Sequence, residues 1–182
     1  MERYRISDEA KIYFITYSVV EWLPVFISAA SCQIVTDSFQ FCQKSKSLRV
    51  NAFVIMPTHI HAIVFDAAGD TERLHRSLIE FRKFTGRNLT ELVRSSFPRC
   101  FEETLKEASL DDRDHRFWQP SRHPVALETE AMWAQKRDYL HENPCRKGLV
   151  RRASDWRFSS AAWYMNDMAS ECDVEIHRLD WS

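Results

Sequence analysis

The chain has 182 residues, of which 45% are hydrophobic and 13% aromatic, and only three are glycine. This composition indicates one globular domain with a sizeable core. The formal net charge of −1 excludes a uniformly basic nucleic-acid binder, but it does not exclude a local basic patch.

Cysteine usage and hydropathy exclude further classes of protein. The five cysteines are scattered, without CxxC or zinc-ribbon spacing, which argues against a disulfide scaffold and against a cysteine-based zinc site. The N-terminus begins no long apolar run, and no later stretch approaches the roughly 18 apolar residues of a membrane span. We therefore expect a cytoplasmic protein that does not associate with a membrane.

The first half of the chain predicts a strand, a helix, a hairpin and a long helix. β-Branched and aromatic residues indicate a strand within residues 10–20. Residues 28–46 have a possible serine cap and an apolar stripe typical of a helix. Residues 48–56 and 59–65 predict an antiparallel hairpin, and the helical spacing of apolar residues predicts a helix over 71–95.

The second half is less regular. Residues 99–115 are polar and are interpreted as an insertion that contains one short helix. A last sheet strand, made irregular by two prolines, is predicted over 116–125. A further helix is predicted over 129–143, ended by Asn143-Pro144, and residues 155–161 form a packed segment.

The order of these elements is β-α-β-β-α-β followed by one more helix. This order predicts an α+β fold of the ferredoxin-like (RRM-like) class, with an antiparallel sheet and an added C-terminal helix. We interpret residues 1–182 as a single domain, with a core at about 10–164 and an unassigned tail at 166–182.

Two histidines follow the predicted hairpin turn. His59 and His61 are two residues apart on one strand, so both side chains point to the same face of the sheet. Two imidazoles on one face could supply part of a metal site. The structural alternative is a pair of histidines that only stabilises the hairpin.

A second candidate group lies on the last predicted helix. Tyr139 and Asn143 are four residues apart and therefore share one face. Both could reach a common site. The alternative is a core tyrosine together with an asparagine that ends the helix.

Basic residues accompany aromatic ones on the long helix. Arg82, Lys83 and Arg87 are on or next to the segment Phe81-Arg82-Lys83-Phe84-Thr85. Such a face could follow a phosphate backbone, although a charged helix face is usually only solvated.

Five motifs resemble, in order, those of the single-tyrosine HUH transposases, and most closely the branch of the REP-associated tyrosine transposases. The resemblance covers roughly residues 10–164. In chain order, with the family motif in parentheses, the matching segments are MPTHIH at 56–61 (MPNHxH), FRKFT at 81–85 (FKxFT), FWQ at 117–119 (FWQ), YLHENPCRKGLV at 139–150 (YIHxNPVxxGLV) and DWRFSSA at 155–161 (DWxxSSA).

The resemblance implies a metal-dependent enzyme that cleaves and rejoins single-stranded or stem-loop DNA. It implies that His59 and His61 are catalytic and bind a divalent metal, Mg²⁺ or Mn²⁺, that Asn143 is a third ligand, and that Tyr139 is the nucleophile that forms a 5′-phosphotyrosine. The candidate DNA-binding residues are Arg82, Lys83, Arg87, Arg146 and Lys147.

Two other functions are compatible with the sequence. One is a non-catalytic module that binds single-stranded nucleic acid on the same RRM-like sheet. The other is a small metallohydrolase with a water nucleophile, for which Tyr139 would be dispensable. A monomer and a homodimer are both open, and so is the question of whether Tyr139 acts in its own subunit or in a partner.

Overall fold

A four-stranded antiparallel sheet forms the centre of the molecule, and helices cover both of its faces. The computed structural model describes residues 11–109, 117–120, 124–166, 172–179 and 181. Its strands and helices are β1 (Ile12–Ser18), α1 (Ala29–Ser45), β2 (Leu48–Met56), β3 (His59–Asp66), α2 (Thr71–Ser96), α3 (Arg99–Glu107), β4 (Val125–Ala126), α4 (Glu130–Arg146) and α5 (Ala161–Met165).

The strand order β2-β3-β1-β4, with every neighbouring pair antiparallel, is that of a ferredoxin-like sheet. Helix α1 connects β1 to β2, and α2 follows β3 on the way to β4. The predicted fold class is therefore confirmed, including the added helix α4 that carries Tyr139. None of the helices in the described ranges combines the length and apolarity that crossing a membrane requires.

Two predicted boundaries are wrong. Among the described residues of this segment, the strand covers Val125–Ala126 and Trp118 makes an isolated bridge to Val19; residues 110–116 and 121–123 lie outside the described residues. Proline has no N–H for a ladder, so neither Pro120 nor Pro124 can donate a hydrogen bond to a neighbouring strand. Helix α4 also continues past Asn143-Pro144 to Arg146.

The continuation of α4 has a local cause. A proline near the end of a helix removes only one hydrogen bond, and here the following turn is completed by Lys147 N–H donating to Asn143 O at 3.1 Å and Leu149 N–H donating to Pro144 O at 2.9 Å. The helix ends next to Gly148, whose φ of 70° is favourable for glycine.

The two sheet faces contact different helices. The larger core, between the sheet and α1 and α2, includes Tyr13, Phe53 and Phe81. The smaller core lies between the other face and α4 and contains Phe14, Ala52, Val54, Met56, Ile63, Leu127 and Leu140. His59 and His61 share this second face with Ile63, since all three are odd-numbered residues of β3.

A β-bulge in β2 changes which face of the sheet its side chains point to. The register shifts between Val50 and Ala52, so Val50 faces the larger core, whereas Ala52 and Val54 face the smaller one. The bulged residue, Asn51, accepts a hydrogen bond from Trp133 Nε1 of α4 at 2.6 Å. The bulge thus helps to attach α4 to the sheet.

Candidate active site

The two histidines form a close pair at the end of the sheet. The ring centroids of His59 and His61 are 4.7 Å apart, with 72° between the ring planes. On the neighbouring strand, Ser18 is opposite His59 and Thr16 is opposite His61. The predicted placement of both histidines on one face is therefore confirmed.

Each imidazole has a hydroxyl group at its Nδ1 atom. Thr16 Oγ1 lies 2.8 Å from His61 Nδ1, and Thr58 Oγ1 lies 3.0 Å from His59 Nδ1. Such second contacts fix the tautomer and orientation of histidine ligands. With Nδ1 engaged, Nε2 is the nitrogen of each ring that is left for a ligand. Thr58 replaces the asparagine of the family motif and still provides a polar partner.

Both imidazoles are held in the neutral form. Burial, with a smaller contribution from the charge of Lys147, lowers the pKa of His59 to about 4. Burial, followed by the charges of His59 and Lys136, lowers the pKa of His61 to about 3, against a small opposing effect of the Ile15 backbone. A neutral imidazole has the lone pair that a metal ion requires.

Tyr139 approaches the pair from α4 in the same chain. Its ring centroid is 5.6 Å from that of His61, and Phe14, stacked on His61 at 5.1 Å, contacts both rings. The tyrosine remains 38% exposed, which an incoming phosphodiester would require. Three of the candidate site residues thus meet within one molecule.

Two cations flank the tyrosine ring. Lys136 Nζ lies 5.8 Å from the ring centroid of Tyr139, and Arg146 Cζ lies 5.4 Å from it. Lys136 precedes Tyr139 by three residues and Arg146 follows it by seven, so all three occupy adjacent positions on α4. A positive charge here favours the binding of an anionic substrate.

Asn143 completes the group from one turn further along α4. It is 4% exposed, and its Nδ2 atom is buried without a hydrogen-bond partner. A buried amide with an unused polar atom is unusual and indicates a position where a ligand could bind. The two amide atoms are interchangeable by a half-turn of the side chain, so oxygen could occupy this position equally well.

His59, His61, Tyr139 and Asn143 line one cavity of about 390 Å³. Its walls combine neutral imidazoles, hydroxyls and an amide with the ammonium groups of Lys136 and Lys147. The lining residues are Phe14, Thr16, Ser18, Trp22, His59, His61, Gln119, Pro120, Lys136, Tyr139, Asn143 and Lys147.

The donor set is compatible with a divalent metal, though as an incomplete shell. Within the described residues, no group of three or more His, Cys, Asp or Glu side chains is arranged to hold a metal ion. Two imidazole nitrogens and one amide oxygen would leave positions open for water or for substrate oxygens. Such open positions suit a catalytic ion better than a structural one.

The chain is similar to known transposases. It is 22% identical over 157 residues to the REP-associated tyrosine transposase of Escherichia coli (strain K12), a match that covers 82% of this chain and 76% of that protein. The solved structure of a REP-associated tyrosine transposase bound to a REP hairpin superposes with a TM-score of 0.62 at 19% identity, covering 100% of this chain and 96% of that one.

The sequence match and the shared fold bear on the same protein family. The chain is similar to the REP-associated tyrosine transposases in sequence and in fold. No family model matches it. A Deinococcus radiodurans R1 protein, provisionally named a transposase, aligns over 78% of this chain and 97% of its own at 13% identity, but its TM-score of 0.45 is too low to establish a common fold.

The basic residues that the sequence singles out on α2 lie apart from this cavity. Lys83 and Arg87 are exposed and line a separate, open concavity of about 680 Å³ beside Phe117 and Trp118. The Arg82 guanidinium is partly buried, where it donates to Gln119 O at 2.9 Å and lies 5.1 Å from the Tyr17 ring centroid. Lys147, in contrast, lines the cavity, and Arg146 lies over the Tyr139 ring.

Several lining residues were missed by sequence reasoning. Lys136 could have been found, because it precedes Tyr139 by three residues on a helix. Thr16 and Ser18 lie on β1, and only the pairing of β1 with β3 brings them next to the histidines. Gln119 ends the FWQ motif, which did not indicate a place in the cavity, and Trp22, in a short 3-10 turn, carries no signal in the sequence.

Proposed function

We propose that this chain is a metal-dependent transposase or nickase that cleaves and rejoins single-stranded or stem-loop DNA through a covalent bond to Tyr139. The observation that carries the proposal is the contact of Tyr139 with the His59 and His61 pair in one cavity of one chain. A transposase function also agrees with the names of the similar proteins.

In the proposed reaction, the phenolic oxygen of Tyr139 attacks the phosphorus of a phosphodiester. The new bond joins Tyr139 to a 5′-phosphate, and the bond to the 3′ oxygen of the preceding nucleotide breaks. The phenol gives up its proton, and the departing 3′ oxygen takes up a proton and becomes a hydroxyl. One phosphoester replaces another, so a 3′-hydroxyl can reverse the step and join strands without a nucleotide cofactor.

The charges around Tyr139 assist this attack. The ammonium group of Lys136 and the guanidinium of Arg146 lie within 6 Å of the tyrosine ring centroid, where they attract a phosphate. Phe14 holds the tyrosine ring from the sheet side. The nucleophile is thus oriented by packing rather than by a hydrogen bond to an acidic partner.

His59, His61 and Asn143 are the residues that would hold a divalent ion, Mg²⁺ or Mn²⁺. Imidazole ligands incline the choice in vitro toward Mn²⁺. When bound, the ion would polarise a phosphate oxygen and lower the barrier to attack. The protein contributes neutral imidazoles whose Nδ1 atoms are engaged by Thr16 and Thr58, so the ligand orientation is fixed before any ion binds.

Stem-loop DNA is the proposed substrate class. The similar REP-associated tyrosine transposase was solved bound to a REP hairpin. In this chain, Lys147 lines the cavity, Arg146 lies over the Tyr139 ring, and both are exposed, as phosphate contacts require. The exposed Lys83 and Arg87 on α2 could contact a duplex stem outside the cavity.

The test is to incubate the protein with labelled stem-loop DNA and Mn²⁺ and to look for an adduct that survives denaturation. We expect the adduct from the wild type and none from Tyr139→Phe, which lacks only the attacking oxygen. Tyr164→Phe is the matched control, because Tyr164 donates to Asn51 O, away from the cavity. An adduct that persists in Tyr139→Phe would refute the proposed nucleophile, and DNA that binds but is never cleaved would favour the binding module.

A further inference from the structure

Trp22 differs from the other tryptophans that border the sheet. Trp118, Trp133 and Trp156 each donate their indole N–H to a protein oxygen, at 3.1, 2.6 and 2.9 Å. Trp22 is 53% exposed, although it follows directly on the β1 strand region. A large indole that is exposed at this place is not explained by the packing of the core.

The backbone that presents Trp22 adopts an unfavourable conformation. Glu21 and Trp22 have φ values of 50° and 53°, in the left-handed region that bulky residues rarely adopt. Two consecutive residues of this kind cost free energy and are typical of functional segments. Trp22 N–H donates to Val19 O at 3.1 Å, which closes the tight turn.

The turn is fixed to the part of the sheet that carries the histidines. Val19 N–H donates to Thr58 O at 2.9 Å, directly before His59, and Val20 N–H donates to Phe117 O at 3.0 Å. Since Val19 and Val20, which precede Glu21 and Trp22, are both hydrogen-bonded to other segments, the indole projects from a defined position. It is therefore pre-organised for a ligand rather than free to collapse onto the core.

The indole forms one end of a series of rings along the cavity. Its centroid is 6.0 Å from that of His59, at 83° between the planes. His59 is next to His61, and His61 is next to Tyr139. Trp22 and Tyr139 are thus the two ends of this series, and the histidine pair lies between them.

We propose that Trp22 is a stacking platform for a nucleobase, namely the base of the nucleotide whose 3′ oxygen leaves when Tyr139 attacks. This inference rests on the proposed function of the cavity. Attacking and leaving oxygens lie roughly in line on opposite sides of phosphorus. A phosphate held at the histidine pair and attacked from the Tyr139 end therefore releases its 3′ oxygen toward the Trp22 end.

Stacking is the chemistry that this side chain can offer. Every base has a π-face, and a base stacked on an aromatic side chain contributes about 1–3 kcal/mol to single-strand binding. Lys147 on the wall of the same cavity could pair with the adjoining phosphate. Trp22 would then hold the leaving strand in place, so that its 3′-hydroxyl remains available for rejoining.

The first experiment measures binding without cleavage. In a Tyr139→Phe background, an oligothymidylate strand should bind about 5- to 150-fold more weakly after Trp22→Leu, whereas Trp22→Phe should retain most of the affinity. Phe41→Leu is the matched control: Phe41 is 58% exposed on α1, which packs on the opposite face of the sheet. Equal affinities for Trp22→Leu and its parent would overturn the proposal.

The second experiment locates the stacked base. On a stem-loop strand whose cleavage position has been mapped, removing the base on the 5′ side of the scissile phosphate should abolish the difference between wild type and Trp22→Leu. Removing the base on the 3′ side should leave that difference in place. The opposite pattern would overturn the assigned side.

The two proposals can fail separately. If Trp22→Leu weakens oligothymidylate binding but no adduct forms on any stem-loop DNA, the platform stands and the transposase chemistry fails. If adducts form normally and binding is insensitive to Trp22, the chemistry stands and the platform fails. Unchanged melting temperatures for Trp22→Leu and Trp22→Phe are expected, since more than half of the side chain is exposed.

Discussion

Two histidine sites lie between α4 and the sheet, the pair His59 and His61 on β3 and the single His141 on α4, and they differ in their access to the cavity. At one, His141 Nε2 is 2.8 Å from Ser160 Oγ, and Ser160 Oγ also accepts a hydrogen bond from Phe53 N–H at 2.9 Å. At the other, the Nδ1 atoms of His59 and His61 have hydroxyl partners, and the rings line an open cavity.

Protonation does not distinguish His141 from the pair His59 and His61. Burial lowers the pKa of His141 to about 4, as it does for His59. A perturbed pKa alone would therefore mark all three histidines as candidate site residues. What separates them is the cavity that His59 and His61 line, whereas His141 lies in a buried network that joins α4 to β2 through Ser160.

Among substitutions that test this difference, those at His59 and His61 should have the largest effect, and the effect should be on catalysis. His59→Ala or His61→Ala should reduce adduct formation on the order of 10³-fold, because the cavity would lose one of its few metal donors. Binding of stem-loop DNA and the melting temperature should change little. The measurements are adduct yield with Mn²⁺ and a gel-shift titration without metal, and a cleavage rate that survives both substitutions would contradict the metal role.

For His141 we expect the opposite result, a loss of stability rather than a specific loss of catalysis. His141→Ala should destabilise the fold by about 3 kcal/mol, because it leaves a cavity and deprives Ser160 of a partner in the buried interface between α4 and the sheet. Urea unfolding measures this loss, and His141→Asn should recover part of it. A His141→Ala variant that is fully stable but inactive would place His141 in the site after all.

A smaller effect is expected from removing the Thr16 hydroxyl group, which contacts His61 Nδ1. Thr16→Val keeps the shape of the side chain but removes the partner of Nδ1, so the affinity for Mn²⁺ should fall by about 10- to 100-fold. Adduct formation titrated against Mn²⁺ should shift to higher concentration, with nearly the same plateau. Thr36→Val is a suitable control, since Thr36 bonds only within α1.

The smallest effect concerns pH. The pKa of His141 is lower in the folded protein, about 4, than in the unfolded chain, about 6.5, so below pH 6.5 the unfolded chain binds more protons. Its contribution to stability is complete above pH 6.5 and is lost as the pH falls toward 4. Between pH 7.5 and 5.5, His141→Asn should therefore lose about 1 kcal/mol less stability than the wild type, as measured by urea unfolding at each pH.

Much of the fold was predictable because it depends on local periodicity. Alternation of apolar residues identified β1, β2 and β3, and helical spacing identified α1, α2 and α4, to within a few residues of the observed bounds. β4 was not predictable in length, because its two residues pair with β1 through contacts more than 100 residues apart in sequence. The bulge at Asn51 gave no signal either, since its role depends on Trp133 of α4.

The sequence by itself determined which side chains share a face. The period of a strand places His59 beside His61, and the period of a helix places Tyr139 beside Asn143, whatever the rest of the chain does. Only the tertiary structure decided that these two faces meet, that Thr16 and Thr58 hold the imidazoles, and that Trp22 borders the same cavity. The reason is that such contacts depend on strand order and on how α4 packs against the sheet, which no local pattern encodes.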